Sequence, residues 1–258
     1  MAIIETIAPI FAIIAFGYVL KSRGVLSEGF ISEANRFVFL FPLPFLIFTG
    51  IIKANIRDIG VQSILTITVP TFTVILTAFV IAVIAGLKGG RLGTFLQTSF
   101  HGNVTYIGLA VLFYLLGETG LEKGSLLVGI LILLNNALAV FLLALSSGTY
   151  PNILRTLLSM LTNPVIIATL AGMFCLFLGI RIPGVIMRSI SIVANIALPM
   201  ALIIIGGSIS LEMLKRTLHF SVISTILKAI VLPGLAALLC RFFSLNSQES
   251  LPVIILLA

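Results

Sequence analysis

Two places in this sequence put polar groups among residues that are almost all apolar. One is the run Gln97–Gly108, QTSFHGNVTYIG, which interrupts a hydrophobic segment with glycines and polar side chains. The other is Lys228, near the centre of a later hydrophobic segment. A helix that unwinds at Gly102 would expose backbone N–H groups that favour an anion, and the amide of Asn103 could add a further hydrogen bond. These residue types predict binding of a carboxylate rather than bond-making chemistry.

Each of these features also has a structural interpretation. The Gln97–Gly108 run could be a continuous helix whose small and polar residues pack against neighbouring helices. Lys228 costs about 2.5–3.5 kcal/mol at the centre of a membrane helix, and it could be a fixed cation for the substrate or could extend its side chain to an interface. His101 could titrate near neutral pH or could simply pack or cap a helix.

Two adjacent asparagines, Asn135 and Asn136, lie in the middle of another apolar segment. Neighbouring residues of a helix point about 100° apart, so we expect only one of them to face a binding site. The alternative is that both make hydrogen bonds between helices.

The composition requires a membrane around these residues. Of the 258 residues, 60% are hydrophobic and only 9% are charged, and the mean hydropathy is +1.28. Soluble domains are nearer half apolar and a quarter charged. The formal net charge of +7 comes from basic residues scattered singly between apolar runs, which is typical of membrane-flanking positions and not of nucleic-acid binding. Cys175 and Cys240 lie within or beside apolar runs, which favours packing roles over a metal site.

Hydrophobic stretches of about 20 residues can cross a bilayer as helices. The sequence predicts an all-α polytopic membrane protein with short loops. Because the given sequence ends within a hydrophobic run, we expect further residues after 258. Spans are predicted at about 3–20, 37–52, 61–86, 93–116, 124–146, 158–180, 189–210 and 219–240, with a ninth starting near Leu251.

Proline and glycine positions indicate an internal repeat. Pro9 and Gly17 of span 1 have the same separation as Pro164 and Gly172 of span 6, at an offset of 164 − 9 = 155. Pro44 of span 2 and Pro199 of span 7 are also 199 − 44 = 155 residues apart. Because the unit is five spans, an odd number, the second copy enters the membrane from the opposite side. Inverted repeats are typical of secondary transporters.

The distribution of basic residues predicts the orientation. Loops after odd-numbered spans hold the slightly larger share of Lys and Arg, including Lys21, Arg23, Arg155, Lys215 and Arg216. The positive-inside rule then puts these loops in the cytoplasm and the N-terminus outside.

Several segments resemble the auxin efflux carrier family, which includes bacterial permeases for malate or malonate. The matching segments cover nearly the whole chain. They are RFVFLFPLPFLIF at 36–48, GNVTYIGL at 102–109, Asn163-Pro164, and LPMALIIIGG at 198–207.

The resemblance implies ten spans in two inverted five-helix repeats, at residues 1–148 and 149–258, with the second copy incomplete here. Spans 4 and 9 would be broken and would cross at the substrate. Spans 1, 2, 6 and 7 would form a scaffold and homodimer interface, and spans 3, 4, 5, 8 and 9 a transport domain. This chain has Ala110 where family members usually have proline, and span 3 lacks the acid that pairs with the span 8 lysine in plant members.

The predicted function is a secondary carrier of a small carboxylate such as malate, malonate or an auxin-like acid, in a bacterial cytoplasmic membrane and without cofactor, metal or nucleic acid. The alternatives are a passive anion channel and a sodium- or proton-coupled symporter on the same scaffold. A structural or sensory protein would have an unbroken span 4. No enzyme motif is present, so an intramembrane enzyme is not predicted. The predicted substrate residues are Gly102, Asn103, Thr105, Tyr106, Asn135, Asn136 and Lys228, and the predicted breaks or hinges are Pro44, Gly108, Pro199 and Gly206.

Overall fold

A computed structural model describes residues 2–55, 60–146, 162–209 and 218–258. Every regular element in these ranges is a helix. Several predictions fall outside them, namely the boundary between repeats at 148/149 and the loop residues Arg57, Asp58, Arg155, Glu212, Lys215 and Arg216.

The helices confirm a polytopic membrane protein. Five helical segments of the described chain are long and apolar enough to cross a bilayer, at 28–53, 61–84, 89–146, 184–208 and 221–242. Three shorter apolar helices cover 7–22, 164–177 and 247–257. The segment 89–146 contains two predicted spans, which are separated at Gly117 by a left-handed φ of 66°.

Some helices begin where the sequence provides a cap. The Oγ of Ser27 accepts a hydrogen bond from the Phe30 N–H at 3.0 Å, so the second helical segment starts at Glu28 rather than near residue 37 as predicted. The Oδ1 of Asn163 accepts from the Val165 N–H at 2.9 Å, directly before Pro164. Asn246 and Glu249 cap each other's backbone in the last helix.

The first of two compact units comprises Met1–Ile56, Asn103–Gly129 and Thr162–Leu211. The helices of this unit are α1 (Ala2–Ser22), α2 (Glu28–Leu40), α3 (Pro42–Lys53), a first π-helix (Val104–Gly108), the start of α6 (Leu109–Ser146), α7 (Pro164–Phe177), α8 (Gly184–Ala194) and α9 (Ala197–Ser208). Helix α1 packs along α9, and α3 packs against α7 and α8. Helix α2 contacts α3, α7 and α9.

The second unit comprises Arg57–Gly102, Ile130–Leu161 and Glu212–Ala258. The helices are α4 (Val61–Ile84), α5 (Gly89–Phe100), the remainder of α6, α10 (Leu218–Ile226), a second π-helix (Leu227–Val231), α11 (Leu232–Phe242) and α12 (Ser247–Leu257). Helix α4 packs against α5, α11 and α12, and α10 packs against α5. The buried positions of this unit include Ile67, Val74 and Leu232.

Spans 2 and 7 are both interrupted near their middle. Helix α2 ends at Leu40 and α3 begins at Pro42, with Phe41 between them at φ −127° and ψ −68°. Helices α8 and α9 are separated by Asn195 and Ile196. Pro44 and Pro199 lie in the first turns of α3 and α9, where a residue without an N–H removes no bond that the new helix needs.

Candidate functional site

Span 4 is interrupted within the polar run singled out in the sequence. Helix α5 ends at Phe100, residues 101–103 are not helical, and the first π-helix begins at Val104. His101 has extended backbone angles, φ −82° and ψ 108°. A non-helical backbone at membrane depth is tolerated only against protein or a water-filled cavity, so this segment is a candidate site.

Asn103 caps the helix that follows the interruption. Its Oδ1 accepts a hydrogen bond from the Tyr106 backbone N–H at 3.2 Å, and its backbone oxygen accepts from Ile107 at 3.1 Å. The Asn103 side chain is exposed, so its amide nitrogen remains open to a ligand. The predicted role of Asn103 at the start of a half-helix is therefore possible on geometric grounds.

Lys228 lies against Gly102 in the second unit. A methyl group placed on Gly102 would meet Cε and Nζ of Lys228, the flexible end of that side chain, which would have to move aside. Lys228 belongs to the second π-helix, which contacts α5. Its ammonium therefore lies near the carboxyl end of α5, where a cation is favourable to the helix dipole. In the described residues, no carboxylate lies within ion-pair distance of Lys228.

His101 precedes the same glycine. Its Nδ1 is buried and has no hydrogen-bond partner in the described part of the chain. Its ring is 6.0 Å from that of Phe100, centroid to centroid. This contact is compatible with the packing role that the sequence left open.

Tyr106 is tied to α2 in the first unit. The residue is only 8% exposed, and its hydroxyl donates a hydrogen bond to Oδ1 of Asn35 at 3.1 Å. A cavity of about 580 Å³ is lined by Asn35, Asn103 and Tyr106, together with Lys21, Glu28, Ile31, Ser32, Ile204, Ile205, Gly207, Ser208 and Ile209. This volume lies within the range of about 300–1,000 Å³ that small-molecule sites occupy.

The sequence did not single out Asn35, Ser32 or Ser208 of this cavity. A signal was present, because Ser32 and Asn35 are three residues apart on α2 and so share a helix face. The buried positions of α2, Ile31, Ala34 and Val38, lie on the adjoining face, and Ile31 also lines the cavity. Two polar residues on the exposed face of an otherwise apolar segment could have been recognised as pocket residues.

The remaining predicted substrate residues have varied surroundings. Thr105 is half-buried in the first π-helix. Asn135 is 3% exposed, whereas the half-buried Asn136 donates to the Ile132 carbonyl of its own helix at 2.9 Å. Among the described residues, neither asparagine has a hydrogen bond to Lys228.

Gly108 and Gly206, both predicted breaks or hinges, lie at packed positions. Gly108 is buried at the end of the first π-helix. A Cβ on Gly206 would collide with the carbonyl of Ile14, so this glycine lets α9 approach α1 closely. A hinge role for either residue, and for Pro44 and Pro199, stays a prediction.

Known proteins resemble this chain along most of its length. The profile of a family described as "Membrane transport protein" matches residues 2–151 and 151–258. An uncharacterized transporter of Methanocaldococcus jannaschii is 25% identical, with 95% of this chain and 81% of the relative aligned. An uncharacterized transporter of Methanothermobacter thermautotrophicus is 25% identical, across 90% of this chain and 76% of the relative.

A third relative has a name that includes a substrate. A protein of Rhizobium meliloti named "Putative malonate transporter" is 26% identical, across 81% of this chain and 68% of its own length. The family profile covers nearly all of this chain. The chain therefore belongs to the membrane transport protein family, the auxin efflux carrier family that its span 2 and span 4 segments resemble.

Proposed function

We propose that the protein is a secondary carrier that moves a small organic carboxylate across the cytoplasmic membrane by alternating access. The observation that carries this proposal is the interruption of span 4 at residues 101–103, with Asn103 exposed at its end. Membrane transport is the activity of the family. The malonate in the name of the Rhizobium meliloti relative supports a small carboxylate as substrate.

One charge and one set of backbone dipoles favour an anion in this proposal. The Lys228 side chain lies against Gly102 within the second unit and is without a carboxylate partner among the described residues. The Val104 and Thr105 N–H groups lie in the first turn after the interruption, where helical backbone leaves N–H groups free. A substrate carboxylate can take hydrogen bonds from such groups, and charge-assisted bonds of this kind are stronger than neutral ones.

Helix bounds support the inverted repeat that the proposal includes. Helix α3 ends at Lys53 and α9 ends at Ser208, and 53 + 155 = 208. The interruption at Phe41 corresponds to residue 41 + 155 = 196, and α8 and α9 are separated at 195–196. An odd number of spans in each copy would invert the second copy, as in many secondary transporters.

Two contacts in the first unit follow the same offset. A Cβ on Gly17 would collide with the Ile203 carbonyl, and a Cβ on Gly172 would lie 3.1 Å from the Ile51 side chain and 3.5 Å from the Phe48 carbonyl oxygen. The glycines are related by 17 + 155 = 172, and the carbonyls by 48 + 155 = 203. Both contacts join the first span of one proposed copy to the second span of the other, which supports a two-fold pseudosymmetry.

The proposal also includes assembly as a homodimer. Spans 1, 2, 6 and 7 form a scaffold through which two copies associate, and the transport domain holds the substrate where spans 4 and 9 cross. The mass of the protein in lipid nanodiscs measures the assembly. A mass of one chain per particle would remove the dimer from the proposal without affecting the carrier function.

Uptake into proteoliposomes tests the proposed function. The probes are radiolabelled malonate, malate, succinate and indole-3-acetate, each measured over a range of concentrations. We expect saturable uptake of at least one acid, accelerated when the same unlabelled acid is inside the vesicles. Non-saturating flux together with single-channel currents would identify an anion channel instead, and absence of flux for every acid would refute carboxylate transport.

A further inference from the structure

The cavity of the first unit contains two carboxamides that are bound to one tyrosine. Asn35 of α2 and Asn103 at the span 4 interruption both line it, and Tyr106 lies between them in the hydrogen-bond network. Both asparagines are exposed, whereas Tyr106 is buried. A ligand in the cavity can therefore reach the two amides.

Tyr106 occupies the acceptor atom of both carboxamides. Its backbone N–H donates to Oδ1 of Asn103 at 3.2 Å, and its hydroxyl donates to Oδ1 of Asn35 at 3.1 Å. A backbone N–H can only donate, so the oxygen of Asn103 must be the atom that faces it. The NH₂ group of each carboxamide is then left to face elsewhere.

Each NH₂ group is available to a ligand. In the part of the chain that the structure describes, neither Nδ2 donates a hydrogen bond. An NH₂ group offers only donors, and two such groups in one cavity match a ligand rich in acceptor oxygens. A carboxylate is such a ligand, since its two oxygens provide about four acceptor sites.

The charged residues of the cavity do not oppose an anion. Nζ of Lys21 lies 3.3 Å from Oε1 of Glu28, so the carboxylate of the cavity has a cation beside it. These two residues are the charged residues of the cavity lining. The hydroxyl of Ser208 donates to the Ile204 carbonyl at 2.7 Å and belongs to the same lining.

We infer that Asn35 is a substrate-binding residue that donates to the substrate carboxylate together with Asn103, and that Tyr106 is the positioning residue that turns both amides toward it. This inference rests on the proposed carboxylate transport and adds to it a binding residue on α2. It assigns Tyr106 an indirect role, because its hydroxyl and its N–H are both used by the asparagines.

Asn35→Asp tests the inference, because it keeps the acceptor for the Tyr106 hydroxyl and removes the NH₂ donor proposed for the substrate. The aspartate can still accept the Tyr106 hydroxyl, but it replaces the donor with a negatively charged acceptor. We expect the KM for the transported acid to rise roughly tenfold or more. We also expect that acid to no longer raise the Tm of the detergent-solubilised protein. The matched control is Asn246→Asp, which makes the same change at an exposed helix cap where aspartate caps equally well.

Tyr106→Phe tests the positioning role separately. It removes the hydroxyl that holds Asn35, while the backbone N–H that holds Asn103 remains. We expect KM to rise roughly threefold to tenfold with kcat unchanged. When Asn35→Asp is already present, Tyr106→Phe should not raise KM further, since the NH₂ group that Tyr106 orients is already lost.

The outcomes separate this inference from the proposed function. If the parent protein takes up an acid and Asn35→Asp has the parental KM, Asn35 does not bind the substrate and only the inference fails. If Asn35→Asp does not fold, an unchanged KM in Tyr106→Phe overturns the inference in the same way. If the parent takes up none of the four acids, the proposed function itself fails and the inference fails with it.

Discussion

Gly102 is in contact with the Lys228 side chain. An added methyl group would meet Cε and Nζ, the flexible end of that side chain, so Gly102→Ala should shift the ammonium away from Gly102 and leave the backbone in place. We expect roughly a threefold loss of carboxylate uptake, because a cation that has moved by a few ångströms keeps part of its attraction to a nearby anion. Initial rates in proteoliposomes measure it.

Gly90→Ala is the control for this substitution. Gly90 lies at the start of the same helix, and a Cβ added there meets no atom within 4 Å. It should transport like the parent and should be slightly more stable, because alanine is the better helix former. Parental uptake by Gly102→Ala would show that the contact with Lys228 does not matter for transport.

The sequence predicted individual residues at this scale, but not their partners. Lys228 and the glycines of span 4 could be identified as candidate site residues because each is unusual in an apolar segment. The contact between Gly102 and Lys228 joins positions 228 − 102 = 126 residues apart, which no local pattern reveals. Asn35 was missed because it lies in a segment with enough charge to look like a loop, between Glu33 and Arg36.

At the scale of elements, the interruption of span 4 has a consequence for backbone exchange. The first turn after the interruption leaves N–H groups without intrahelical acceptors, and residues 101–103 are not helical. We expect hydrogen–deuterium exchange in residues 101–105 to be far faster than in residues 71–82 of α4, the continuous helix that follows Pro70. Mass spectrometry of the protein in nanodiscs measures both segments in one experiment.

Equal protection of the two segments would contradict the interruption. The same exchange rates can be measured again with the transported acid present. If a carboxylate occupies the site, exchange in residues 101–105 should slow while that of α4 stays unchanged. Binding elsewhere would leave both rates as they were.

The sequence predicted the bounds of some helices more accurately than those of others. Hydropathy located α4 to within about two residues, because that helix is apolar throughout. It placed the start of span 2 near residue 37, whereas α2 begins at Glu28. The difference arises because α2 buries one face and carries Glu28, Glu33 and Arg36 on the others, which lowers its mean hydropathy below that of a typical span.

At the scale of the whole molecule, the orientation in the membrane can be tested directly. Arg23 follows span 1 and Arg181 follows span 6, and both are exposed. If the N-terminus lies outside, the positive-inside rule puts Arg23 in the cytoplasm and Arg181 outside. We expect a membrane-impermeant maleimide to label Arg181→Cys in intact cells and Arg23→Cys only after permeabilisation, and the parent protein controls for Cys175 and Cys240. The reverse labelling pattern would contradict this orientation.

Membrane class could be predicted from the sequence as a whole, because composition is a property of long segments. The family could be predicted from the segments that resemble it, such as those at 36–48 and 102–109. The substrate could not, because recognition depends on a few polar atoms whose neighbours come from distant parts of the chain. The cavity of the first unit combines residues of α2, the first π-helix and α9, which no periodicity of the sequence brings together.

The central claim, a carboxylate bound at the span 4 interruption, is tested most directly by the concentration dependence of malonate uptake in Asn103→Ala. Asn246→Ala is the matched control, because Asn246 is also an exposed asparagine whose side chain accepts a hydrogen bond at the start of a helix. We expect saturable uptake by the parent and the control, and a KM raised by roughly tenfold to a hundredfold in Asn103→Ala, as loss of a charge-assisted hydrogen bond predicts. A parental KM in Asn103→Ala, with the parent transporting malonate, would contradict the claim.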